Sequence, residues 1–174
     1  MAPRFSLARQ KARRLIREAK IKNVPVPVER LAKLYGAVIH YEPFEGELSG
    51  MVRRHSDGTA MIGVNSSHAR TRQRFTIAHE LAHLVLHEDQ RFHVDEQSPI
   101  AFRNEESSLA TNANEIEANQ FASELLMPEQ LLKREIKNLP KNMEVERAVL
   151  ALADRFEVSG QAMTLRLTRL GVLA

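Results

Sequence analysis

The stretch His79-Glu80-Leu81-Ala82-His83 sets two imidazoles four residues apart, with a carboxylate directly after the first. On a helix, residues four apart lie nearly above one another. His79 and His83 can then aim two ring nitrogens at one point. Zinc takes nitrogen ligands at about 2.0–2.1 Å and, in catalytic sites, keeps one position open for water. Glu80 lies about 100° round the helix from His79, beside the metal rather than on it. There it can act as general base towards water that the metal has acidified to a pKa of about 7. The chemistry implied is metal-assisted hydrolysis.

Two histidines hold zinc poorly, so a third ligand must come from elsewhere in the chain. There is no cysteine, which leaves His, Asp or Glu and excludes disulfides and thiol nucleophiles. The carboxylates on offer downstream are Glu115, Glu117 and Glu124. Glu117 and Glu124 are seven apart and share a helix face, whereas Glu115 points elsewhere. Helix geometry favours Glu117 and leaves the other two open. A shuffled chain of this composition contains His-Glu-x-x-His roughly 3% of the time, so context has to carry the argument.

The elements that must position these residues can be read from apolar spacing. Phe75, Ala78, Ala82 and Val85 form one line, widened by Leu81 and Leu84, and predict a helix from about Arg70 to Leu86 independently of the motif. A second helix runs from about Asn114 to Leu126 and stops before Pro128. Upstream, Ala8, Ala12, Leu15, Ile16 and Ala19 form the apolar stripe of an N-terminal helix ending near Asn23. Val24-Pro25-Val26-Pro27 is extended. A short helix follows from Val28 to Tyr35 and ends at Gly36. Ala37 to Tyr41, Leu48 to Arg53 and Thr59 to Val64 read as strands, the last two joined through Ser56-Asp57-Gly58. This predicts a small antiparallel sheet of about three strands. The segment from His87 to Asn112 is polar and reads as loop. A short helix covers about Pro128 to Ile136. Met143 to Phe156 forms another, and Ser159 caps a last one.

Three blocks together resemble the ImmA/IrrE metallopeptidase family. They are Arg74 to His83, Glu115-Ile116-Glu117-Ala118-Asn119-Gln120-Phe121-Ala122, and Leu125-Leu126-Met127-Pro128. Pro25 to Gly36 and Gly63-Val64-Asn65 extend the likeness, which covers roughly residues 10 to 135. The resemblance implies an α+β, zincin-like, thermolysin-like fold with the motif on a central helix. It also implies Glu117, the glutamate before Ala118-Asn119, as third ligand beside His79 and His83, with Glu80 as general base. The implied activity is a zinc-dependent endopeptidase whose substrate is a helix-turn-helix transcriptional repressor, cut in a stress response or in inducing a mobile element.

Other residues have weaker claims. His68, His87, His93 and Tyr41 could donate to an oxyanion, though a lone ionisable residue is weak evidence. His87 lies about 80° round the helix from His79 and makes a poor ligand. Asn119 could orient a ligand, or only cap or pack its helix. The strand from Thr59 to Asn65, taken as an edge, could pair with extended substrate.

Composition bounds the rest. The chain has 174 residues, 43% apolar and 27% charged, which suits one globular domain with a small appendage. We expect a peptidase domain over 1–138 and a C-terminal segment over 139–174. No apolar run of membrane-spanning length or secretory leader is present, so a cytoplasmic protein without membrane contact is expected. The net charge is only +3, but eight of nine charged residues from Arg4 to Lys22 are basic. A mitochondrial transit peptide could look like this, and a basic end could touch nucleic acid. The plainer reading is a solvated helix face.

Ala153 to Met163 resembles a helix-turn-helix signature, followed by a helix presenting Gln161, Thr164, Arg166, Thr168 and Arg169. Two arginines make a thin footprint for DNA, and these helices could instead cover the core or bind a partner. The alternatives to a peptidase are a non-catalytic DNA-binding or interaction protein with a structural metal, and a toxin-like partner of an antitoxin. Oligomeric state is not legible. Manganese or iron would also suit a His and carboxylate site.

Overall fold

A computed structural model of the chain describes residues 3–46, 48–87, 92–95 and 109–173, with side chains for all of these but 92–95 and 109–112. The elements in order are α1 Phe5–Glu18, α2 Val28–Leu34, β1 Ala37–Glu42, β2 Gly50–Arg54, β3 Ala60–Asn65 and α3 Arg70–Leu86. They continue with β4 Phe92–Asp95, α4 Leu109–Leu126, α5 Glu129–Lys137, α6 Val145–Phe156 and α7 Gly160–Arg169. Most of the predicted polar loop between His87 and Asn112 lies outside the described residues. The class is α+β, as expected. Among the described residues no helix is long and apolar enough to cross a membrane.

Among the described residues the sheet has four strands in the order β1-β3-β2-β4. This corrects the expected antiparallel three-stranded sheet, because β1 runs parallel to β3, with Ala37 opposite Ala60. The reason lies in the hairpin. Asp57 Oδ1 accepts from Thr59 N at 2.9 Å and from Thr59 Oγ1 at 2.7 Å, and Gly58 takes φ +85°. That turn commits β2 to β3 in antiparallel register, Gly50 opposite Val64. Strand β1 then flanks the other side of β3, and β4 pairs with β2. A four-residue strand inside a polar stretch leaves too little pattern to be found in advance. The expected substrate edge at Thr59–Asn65 is also corrected, since β3 is interior and both its rows of backbone groups are taken.

Helix α3 is the centre of the molecule. Arg74 and every residue from Thr76 to Val85 are buried. A single apolar line therefore understated its surroundings. It packs between the sheet and α4, with α2 alongside. Helix α1 lays Ala8, Ala12 and Ile16 on α4, small side chains that let the helices approach closely. Phe121, Ala122, Leu125 and Leu126 of α4 complete this core.

The C-terminal helices are fastened to both central helices by buried arginines. Arg74 of α3 donates to Val26 O at 2.8 Å and to Glu157 O at 3.2 Å, in the turn between α6 and α7. Arg166 of α7 donates to Glu124 of α4 at 2.6 Å and to Met127 O at 3.1 Å. Arg166 is thus 2% exposed, which corrects its expected place on an outward recognition face. The predicted cap holds: Ser159 Oγ accepts from Ala162 N at 3.1 Å.

Candidate metal centre

Two adjoining turns of α3 bring His79 and His83 together, and α4 supplies the carboxylate. His79 Nε2 and His83 Nε2 lie 3.1 Å apart. Glu115 Oε2 is 3.1 Å from His79 Nε2, and Oε1 is 3.3 Å from His83 Nε2. Three ligand atoms about 2.05 Å from a common tetrahedral centre would be separated by about 3.3 Å. The spacing of the two imidazole nitrogens, and of each from one Glu115 oxygen, is close to that size. Two neutral imidazole nitrogens and a carboxylate also form a hard-to-borderline donor set suited to zinc. The three residues therefore fit a divalent metal.

The third carboxylate is Glu115, which corrects the expectation of Glu117. The two are about 200° apart round α4, and only one can face α3. Glu117 faces α1 instead. Its Oε1 accepts from Arg4 N at 2.6 Å and from Arg4 Nε at 3.0 Å, and its Oε2 accepts from Arg4 Nη2 at 3.0 Å. Glu124 shares that face, as the spacing implied, and is held by Arg13 at 2.7 Å and by Arg166. The basic N-terminal run was the available signal. Its arginines needed acids, and the pair seven apart on one face was the natural supply.

Electrostatics follow the same division. Burial works against the charged form of Glu115, but when Nε2 of His79 and His83 carries a proton their hydrogen bonds to the carboxylate outweigh it and hold the carboxyl well below its usual range. Burial likewise opposes ionisation of Glu117, and the hydrogen bonds from Arg4 outweigh it there.

The surroundings orient the cluster. His79 Nδ1 lies 3.1 Å from Asn119 Oδ1. An amide oxygen can only accept, so Nδ1 carries the proton and Nε2 presents its lone pair inward. Asn119 sits one helical turn beyond Glu115, so α4 carries both the carboxylate and the group that orients His79. Glu80 is fully buried. It lies beneath β2, where a Cβ on Gly50 would come within 3.6 Å of Glu80 Cγ and 2.3 Å of Thr76 Cγ2. Only glycine lets the strand pass this close to the helix. Asn65 secures the approach to Gly50, donating to Leu48 O at 2.8 Å and accepting from Ser67 N at 3.0 Å.

The other sequence candidates lie outside the triangle. Tyr41 donates to Glu29 at 3.4 Å, and His68 sits 3.5 Å from Asn65. His87 Nε2 lies 3.4 Å from Asn114 O and 4.0 Å from Glu117, with its ring 5.4 Å from that of His83. The side chain of His93 lies outside the described residues.

Comparison with known proteins agrees with this geometry. A solved structure of a Mycobacterium tuberculosis transcriptional regulator shares the fold, with a TM-score of 0.64 at 18% identity over 92% of this chain and 46% of that one. This chain thus spans less than half the length of that regulator. No curated protein sequence matches it. The profile of the M78 peptidases, described as the IrrE N-terminal-like domain, matches residues 32–168, a span that takes in the sheet, the metal triangle and most of the C-terminal helices. With the greater part of its length so matched, the chain belongs to the M78 peptidase family, that of the IrrE N-terminal-like domain.

Proposed function

We propose that this protein is a zinc-dependent endopeptidase, with His79, His83 and Glu115 holding the metal and Glu80 acting as general base. The observation that carries the reading is the cluster of His79, His83 and Glu115, with the two Nε2 atoms 3.1 Å apart and each within 3.3 Å of one Glu115 oxygen, on the helix that bears Glu80. A zinc ion supplies Lewis acidity, lowering the pKa of water and polarising a peptide carbonyl. The chain's residues do the rest. Glu80 accepts the proton of the attacking water and returns it to the leaving amine. Its buried setting under Gly50 keeps the carboxylate in one place and limits water around it. Asn119 keeps His79 in the tautomer that binds.

We propose a protein substrate, and a helix-turn-helix transcriptional repressor as its class. The support is family membership, together with the likeness in fold to a transcriptional regulator. A cytoplasmic setting follows from that substrate. The likeness also favours a second reading, a regulator in which the metal is only structural. Glu80→Gln separates the two. It should retain the metal and the melting temperature while cleavage of a cognate repressor falls by about 10²–10⁴-fold, the span that general acid–base catalysis supplies. Zinc-loaded wild type that leaves repressors from the same genome intact, with Glu80→Gln indistinguishable from it, would sink the peptidase reading.

A further inference from the structure

Helix α1 has one face spent on the core and a flanking face open to solvent. The apolar stripe, Ala8, Ala12 and Ile16, is buried against α4. On the flanking face, about 100° round the helix, Ser6, Arg9, Gln10, Arg13 and Arg17 line an open groove. Arg9, Arg13 and Arg17 recur every fourth residue, so each stands about 6 Å beyond the last along the axis. Arg13 is held at 2.7 Å by Glu124 and at 2.8 Å by Glu129. Arg9 and Arg17 have no carboxylate within ion-pair distance among the described residues, and neither do Lys20 and Lys22. The one acid in α1, Glu18, is taken by Arg14 at 2.6 Å.

We infer that this outward face of α1 is a binding site for the phosphate backbone of nucleic acid, independent of the peptidase reading. Every residue lining the groove is a hydrogen-bond donor, and none is acidic. Arginine, serine and glutamine are the side chains that grip phosphate oxygens without reading bases. Arg9 and Arg17, two turns apart with the ion-paired Arg13 between them, are the guanidinium groups left to meet phosphates. An acidic peptide would need apolar pockets for its anchoring side chains, and the groove has none. Insertion into a membrane would need the apolar stripe, which is buried. The competing surface for nucleic acid is α7, but its Arg166 is spent on Glu124, leaving Arg169 as its one outward arginine.

The test is fluorescence anisotropy with a labelled 20-base-pair duplex of arbitrary sequence, titrated over a range of salt. Wild type should bind with a log K that falls steeply with log salt. Arg9→Gln/Arg17→Gln should lower affinity at least tenfold at low salt and reduce the salt slope by about two, one for each lost contact. Arg169→Gln should leave both unchanged. Both altered residues of the double variant are exposed, and an unshifted melting curve confirms its fold. A wild type that does not bind the duplex overturns the inference, as does a double variant with the wild-type slope. So does binding to phosphatidylserine vesicles or polyglutamate that exceeds binding to the duplex.

Discussion

Helix α4 carries three carboxylates in contrasting company. Glu115 meets two histidine nitrogens, and Glu117 and Glu124 meet arginines. The arginine-bound pair are neutralised within the protein and hold helices together. Glu117 ties α4 to α1, and Glu124 ties it to both α1 and α7. Glu115 points its oxygens at groups that also bear lone pairs, an arrangement that favours a cation at the centre. A carboxylate among bases is a binding site, and one among cations is a joint. The helix keeps the two apart by facing α3 with one side and α1 with the other.

The contrast is broken most severely at Glu115. Glu115→Gln removes one of the three groups proposed to hold zinc and should weaken zinc binding by more than about 100-fold, beyond the usual cost of losing an orienting partner. Chelator competition measures this directly. An affinity within a few fold of wild type would show that Glu115 is not a ligand.

Next in size is the joint at Glu124. Arg166→Ala strands a carboxylate that is 1% exposed, with only Arg13 left to it. Breaking a buried pair from one side costs about 3–5 kcal/mol, whereas replacing both partners by residues of similar volume costs less or nothing. Glu124→Gln/Arg166→Met should therefore be more stable in urea than Arg166→Ala alone. If the double variant is the less stable, the pair is a net source of stability rather than a specific joint. Zinc affinity of either folded variant should stay close to wild type, which separates the joint from the site.

Much of the site was legible because short-range geometry dictates it. The four-residue repeat of His79 and His83, the limits of α3 at Arg70 and Leu86, and the Ser159 cap all follow from contacts within one or two turns. Glu115 was not legible by the same route. Which face of α4 turns towards α3 depends on where α1 docks, more than a hundred residues away in sequence. Glu117 and Glu124 sharing a face was correctly read, but that face belonged to the arginines. The central position of β3 was hidden for a like reason. Its neighbours β1 and β2 were both predicted, yet parallel pairing across a crossover leaves no local mark.

Asn119 belongs to the Glu115 side of the contrast at one remove. Asn119→Ala keeps all three ligands but frees the His79 ring to rotate and change tautomer. Zinc affinity should fall about 10–100-fold. Asn119→Asp, which still accepts from Nδ1, should recover most of the loss. A residue that only packs the helix would respond equally to both substitutions, and that outcome would remove Asn119 from the site.

The smallest effect is expected at Glu117, two residues from the largest. Glu117→Gln keeps an acceptor for Arg4 N but loses the charge that holds the guanidinium. Arg4 is 46% exposed, so water recovers much of what is lost, and destabilisation should be about 1 kcal/mol or less. Zinc affinity should stay within about threefold of wild type, as for a residue that does not touch the metal or orient a ligand. Set beside Glu115→Gln, this asks whether function on α4 is decided by helix face or by nearness in sequence. A collapse of zinc binding in Glu117→Gln, with Glu115→Gln spared, would mean that the helix rotates on binding metal. The arginine at Arg4 would then be a restraint to be released rather than a joint.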